Sequence, residues 1–211
     1  MIISTYWILF LSAALLLNIS PGPDMIYLVT RTITHGKKSG FASMLGFGTG
    51  AMIHALFVSL GISAIISTSI AAFTVLKYTG AAYLFYLGIR SLISGGIKFE
   101  KPKENKADVP FISSYFQAVL VDITNPKVAL FFMAFLPQFY RNNGTSRIEQ
   151  FMTLGIIIVL MGFIIETAIV LLSDKISGVL RGKPLVSKIM DKLFGIILIA
   201  LGTRLIFEKS K

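Results

Sequence analysis

Six runs of apolar residues, each about as long as a bilayer is thick, leave this chain little freedom of fold. They extend approximately from Tyr6 to Thr30, Phe41 to Ile66, Ala71 to Leu92, Ser113 to Tyr140, Phe151 to Ser173 and Ile189 to Phe207. A helix needs roughly 20 apolar residues to cross about 30 Å of hydrocarbon, so each run matches one span. Of the 211 residues 55% are hydrophobic and 14% charged, which leaves little chain for a soluble domain. The first run has no basic leading segment and no small-residue cleavage site, and five more runs follow it. It therefore reads as a retained helix rather than a signal peptide. The expected fold is an all-α integral membrane protein with six transmembrane helices.

The polar residues narrow the function. There is no cysteine, so disulfides, thiol redox relays and thiolate metal sites are not explanations, and two histidines are too few for an imidazole metal centre. The net charge of +10 would suit nucleic acid if it lay along one face. Instead the cations sit in short loops between apolar runs, and no nucleic-acid partner is expected. Arg31, Lys37, Lys38, Arg90, Lys98, Lys101, Lys103, Lys106, Lys175, Arg181, Lys183, Lys188 and Lys192 fall in or beside the first, third and fifth loops. The other side holds Lys77, Arg141, Arg147, Arg204, Lys209 and Lys211. This bias of about twofold places the odd loops in the cytoplasm and both termini outside.

The chain also repeats itself. "NISPGP" at Asn18 to Pro23 aligns with "DITNPK" at Asp122 to Lys127: a polar residue, Ile, a hydroxyl residue, then a proline break. Lys77-x-x-Gly80 with Leu87-Gly88-Ile89-Arg90 has a counterpart in Lys192-x-x-Gly195 with Leu201-Gly202-Thr203-Arg204, the spacing differing by one residue. Matching landmarks in one order imply a three-plus-three repeat. Residues 1–94 form the first half, 95–112 a polar basic linker and 113–211 the second half. An odd number of spans per copy turns the copies upside down relative to each other, giving two inverted repeats with helices 1 and 4 broken.

Helix breaks in lipid are costly, because each freed carbonyl or N–H needs a partner, and they persist where protein or a wet cavity encloses them. Proline removes a donor and pushes the preceding residue out of helical geometry. Half-helix amides then suit an anionic group and freed carbonyls a cationic one, and a zwitterionic amino acid carries both. A lone proline is as easily a simple kink. Against that reading stand the double break at Pro21, Gly22 and Pro23 and the polar neighbours of both breaks. Substrate contacts are therefore expected from Asn18, Ser20, Pro21, Gly22, Pro23 and Asp24 at the first break, and from Asp122, Thr124, Asn125, Pro126 and Lys127 at the second.

Ionisable groups within spans mark coupling sites, since each is costly unless paired or hydrated. Asp24, His54, Asp122 and Glu166 are the proton-coupling candidates, with Asp122 and Lys127 expected to neutralise each other. The bland alternatives are a neutral His54 bonded between helices and a Lys127 that reaches out to the interface. Gly46 and Gly50, together with Gly80 and Gly88, read as close helix packing. Phe131, Phe132, Phe135, Phe139 and Tyr140 face lipid or core, or in part form an apolar pocket wall.

On these residues the sequence resembles the LysE/RhtB amino-acid exporters. The resemblance rests on Pro21-Gly22-Pro23, the Gly40, Gly46 and Gly50 ladder, "GAAYLFYLGIRSL" from Gly80 and "NPKVALFFMAFLPQF" from Asn125. It covers nearly the whole chain. The resemblance implies proton-driven efflux of amino acids across a bacterial inner membrane, closer to the homoserine/threonine branch than to the lysine branch. It implies no cofactor; the partners are the substrate, protons and lipid, with a homodimer left open. The rival is a metal-ion exporter on a related six-helix scaffold, which would favour clustered carboxylates or histidines. Neither HExxH nor a serine-centred GxSxG is present, and no enzyme is expected. Apolar surroundings favour small neutral or aliphatic amino acids.

Overall fold

The computed structural model describes residues 2–20, 22–68, 70–93, 109–142, 144–173, 175–176 and 184–207. Pro21, most of the predicted linker and Lys98, Lys101, Lys103, Lys106, Arg181, Lys183, Lys209 and Lys211 lie outside them. The described chain is helical: α1 (Ile2–Ile19), α2 (Pro23–Thr68), α3 (Ile70–Ile93), α4 (Phe111–Ile123), α5 (Pro126–Phe135) followed by a 3-10 turn (Leu136–Phe139), α6 (Arg147–Leu171) and α7 (Pro184–Phe207).

Local chemistry sets the ends. Ser146 caps the start of α6, its Oγ accepting from the Glu149 N–H at 3.2 Å. In α2 a single residue, Gly36 at φ 82 and ψ 169, turns the chain sharply. Only glycine adopts that conformation without strain, so the first apolar run continues past its predicted end at Thr30, as far as His35. α4 begins at Phe111, two residues inside the predicted linker.

Two helices, Pro23–Gly61 and Arg147–Leu171, are individually long and apolar enough to cross a membrane, and α4 with the Pro126–Phe139 segment is a third such unit, bent by 55°. Shorter apolar stretches occupy Thr5–Ile19 and Ala81–Ile93. Large apolar side chains such as Ile8, Phe57, Leu120 and Ile164 project outward, which suits a lipid surround and would be costly in water.

Packing is of two kinds. An aromatic cluster joins α1, α5 and the 3-10 turn: Phe10, Phe131, Phe135 and Phe139 are fully buried, with Phe131 and Phe135 stacked at 4.4 Å. Tyr6 seals its edge, donating to the Phe139 carbonyl at 2.8 Å under the Arg141 guanidinium, 3.7 Å above its ring. Trp7 lies edge-on to Tyr6 and to Phe10.

The second kind is backbone contact at glycine. A Cβ on Gly46 would collide with the Tyr115 carbonyl and reach 2.7 Å from Ala118 Cβ, and one on Gly50 would lie 2.6 Å from Asp122 Cβ, so α2 rides directly on α4. Between α3 and α7 the contacts are reciprocal. A Cβ on Gly88 would lie 2.9 Å from the Gly195 carbonyl oxygen and one on Gly195 2.6 Å from the Gly88 carbonyl oxygen, while one on Gly202 would lie 3.2 Å from the Ala81 carbonyl oxygen. Gly80 lies on α3 beside Ala81, and its own surroundings are outside the described residues.

Candidate functional site

The two interruptions meet at the centre of the molecule. α1 stops at Ile19, and Gly22 supplies the carbonyl to which Ile26 N–H donates at 3.0 Å, opening α2. α4 stops at Ile123. Asn125 takes an extended conformation before Pro126, and its Oδ1 accepts from the Lys127 N–H at 3.0 Å. That is an N-cap followed by proline at the first helical position, both favoured starts for α5.

Lys127 ties the breaks together. Its Nζ donates to the Ser20 carbonyl at 2.8 Å and pairs with Asp24 Oδ2 at 3.5 Å. The sequence suggested Asp122 as the neutralising partner. The close ion pair crosses to Asp24 at the other break, and the Lys127 charge also acts on Asp122, so the two carboxylates share it. A Cβ on Gly22 would lie 3.0 Å from Lys127 Nζ and would clash with Asp24 Oδ1, so any larger residue here has to displace the ends of both paired side chains.

A narrow cavity opens beside this tie, lined among others by Asn18, Asp24, Asp122, Gly162 and Glu166, with Leu17, Val128 and Phe132 as its apolar wall. Of the aromatic residues considered as pocket wall, Phe132 is the one placed here. About 30 Å³ is open to the centre of a water-sized sphere, room for about two waters and too little for an amino acid. Three buried polar atoms here have no hydrogen-bond partner among the described residues: Asp24 Oδ1, Asp122 Oδ2 and Asn125 Nδ2. Buried polar groups are ordinarily satisfied, and two carboxylate oxygens without a partner among the described residues stand at this one cavity.

The remaining candidates surround this centre. His54, 8% exposed, contacts the Asp122 carbonyl through Nε2 at 3.2 Å and packs near Phe132. Thr124 hydroxyl donates back to the Leu120 carbonyl at 2.7 Å, satisfying its own helix end. Ser20 contributes its backbone carbonyl. Pro23 and Pro126 begin α2 and α5. Phe47, Gly48, Gly162 and Phe163 line the cavity without having been singled out in the sequence. The signal available for Gly162 was its position one helical turn before Glu166. Among the described residues no three His, Cys, Asp or Glu side chains are grouped to hold a metal ion.

Comparison with known proteins gives a consistent picture. The family description "LysE type translocator" matches residues 15–209. The homoserine/homoserine lactone efflux proteins of Salmonella typhi and Salmonella typhimurium are each 31% identical over 201 residues, covering 95% of this chain and 95% of theirs. An uncharacterized membrane protein of Bacillus subtilis is 30% identical over 202 residues, covering 92% of this chain and 95% of its own. No solved structure matches.

Proposed function

The chain belongs to the LysE-type translocator family, a family of membrane transporters rather than enzymes, and on that premise we propose that it exports small neutral or aliphatic amino acids, such as threonine or homoserine, from the cytoplasm by proton antiport. The observation that carries this reading is the convergence of two interrupted helices on one cavity bearing the bare acceptors Asp24 Oδ1 and Asp122 Oδ2. An α-ammonium group supplies the missing donors. The α-carboxylate goes to Lys127 and the start of α5, where charge and helix amides both favour an anion. Leu17, Val128 and Phe132 take the side chain.

The transporter works by alternating access in a bacterial inner membrane, with both termini outside and two inverted three-helix repeats as its moving parts. Support for the repeats comes from the α3–α7 seam. If Gly88 corresponds to Gly202, and Gly195 to the Gly80–Ala81 position, the contact of Gly88 with Gly195 and that of Gly202 with Ala81 are one contact seen twice. A two-fold axis in the membrane plane produces that reciprocity.

The test uses inside-out membrane vesicles holding the protein, with and without an inward-acidic gradient, and labelled threonine, homoserine, leucine and lysine. Gradient-dependent accumulation of the neutral amino acids, abolished by an uncoupler, is expected. If folded protein accumulates none of them, the reading fails and divalent metals become the next panel.

A further inference from the structure

The repeat relation extends to a pair of residues that the alignment of the breaks does not reach. Asn18 and Asp122 occupy equivalent positions before the two breaks, and each rests on a glycine of the opposite half. A Cβ on Gly162 of α6 would lie 2.8 Å from Asn18 Oδ1, and a Cβ on Gly50 of α2 would lie 2.6 Å from Asp122 Oδ2. One helical turn beyond each glycine, on the same face, stands an ionisable residue: Glu166 after Gly162 and His54 after Gly50. Glu166 and His54 are therefore counterparts in two copies of one arrangement. In one copy the carboxylate is on the break and the base on the helix; in the other a neutral amide is on the break and the carboxylate on the helix.

The orientation of Asn18 distinguishes the copies further. Its Nδ2 donates to the Ala14 carbonyl at 2.8 Å, and a carbonyl can only accept, so the amide presents Oδ1 to α6. The point 2.8 Å from Asn18 Oδ1 beside Gly162 lies 3.9 Å from Glu166 Oε1. An ionised carboxylate near that acceptor gains nothing, whereas a carboxylic acid carries a hydrogen that an amide oxygen accepts. The other charged groups at this cavity are Asp24 on α2, Asp122 on α4 and Lys127 on α5; α1 presents the uncharged Asn18, and His54 holds the Asp122 carbonyl. Three carboxylates share one lysine, an arrangement that a buried site sustains only by taking up further positive charge.

We propose that Glu166 carries the antiported proton and that Asn18 Oδ1 is its receptor while the cavity is as narrow as it is here. This rests on the export reading above and names the residue through which the gradient acts. Glu166 takes a proton from the outside as the amino acid departs, carries it through the closed state while donating to Asn18, and releases it to the cytoplasm when the next ammonium group enters. The cavity, too small for substrate and large enough for water, fits the proton-loaded return step.

Purified protein in proteoliposomes tests this with two assays, accumulation of labelled threonine driven by a pH gradient and counterflow of threonine without one. E166Q supplies a permanent donor to Asn18 and no proton. It should lose gradient-driven accumulation and keep counterflow, and E166D should recover part of the accumulation. A third readout needs no substrate: the pH-induced infrared difference spectrum should contain a carboxylic C=O band that is missing in E166Q and moved to higher wavenumber in N18L. Gradient-driven accumulation by E166Q, its loss of counterflow while folded, or an infrared band unaffected by E166Q overturns the proposal. If wild-type protein moves no amino acid, the export reading fails while the infrared band still decides whether Glu166 holds the proton.

Discussion

At the first break a neutral amide, Asn18, precedes the interruption and a carboxylate, Asp24, follows it; at the second a carboxylate, Asp122, comes first and a cation, Lys127, afterwards. In the proposed repeats the backbone plan is shared, and the charges are not. The first break is made compact by Gly22, which lets Lys127 approach, while the second is held open by an Asn125 cap and Pro126. Identical repeats would place identical charges on opposite sides of the membrane and could recognise only a symmetrical ligand. The two breaks thus bring unlike charges to one place, with Lys127 paired to Asp24 and partnerless oxygens of Asp24 and Asp122 beside that pair.

Four perturbations bear on that asymmetry. The largest effect is expected from Asp122→Asn, which removes the carboxylate charge at the second break. Deleting one partner of a desolvated charge pair costs about 2–5 kcal/mol, so threonine affinity, measured by isothermal calorimetry, should fall about a hundredfold. Next is the contrast between Gly50→Ala and Gly162→Ala. The new methyl on Gly50 meets Asp122 Cβ at 2.6 Å, which cannot rotate away, and overpacking of this kind costs about 1–3 kcal/mol. The methyl on Gly162 meets only the end of the Asn18 amide, so Gly162→Ala should cost less than about 1 kcal/mol on the same scale. Thermal unfolding in detergent compares the two, and equal losses would remove the structural distinction between the breaks.

Lys127→Met should weaken the tie. The pair with Asp24 is largely buried, with exposures of 12% and 20%, so a stability loss of about 1–3 kcal/mol, between the values for exposed and buried pairs, is expected, together with a larger loss of transport if the lysine receives the substrate carboxylate. The smallest effect belongs to Asn125→Ala, the loss of one N-cap, at about 1 kcal/mol or less in the same unfolding assay.

Proline and glycine wrote both interruptions into the sequence in a form that can be read locally, because each acts on its own backbone and that of the residue before it. The partner of Lys127 was not legible in that way. Asp122 lies five residues away in sequence and Asp24 more than a hundred, yet the bend between α4 and α5 turns the lysine toward the distant one. The sharp turn at Gly36 was missed for a related reason: a lone glycine between His35 and Lys37 carries no sign of whether its φ will be positive. The glycine supports of Asn18 and Asp122 escaped notice because repeat alignment by motif stops where loop lengths diverge, whereas helices in contact keep their register.

The seal that Tyr6 makes over the aromatic cluster has a practical corollary. Trp7 is the chain's only tryptophan, and its indole lies edge-on to Tyr6 at 5.2 Å and to Phe10 at 6.0 Å. Its emission is therefore an intrinsic optical gauge of whether the N-terminal helix stays docked on the 3-10 turn, readable in real time and without a label.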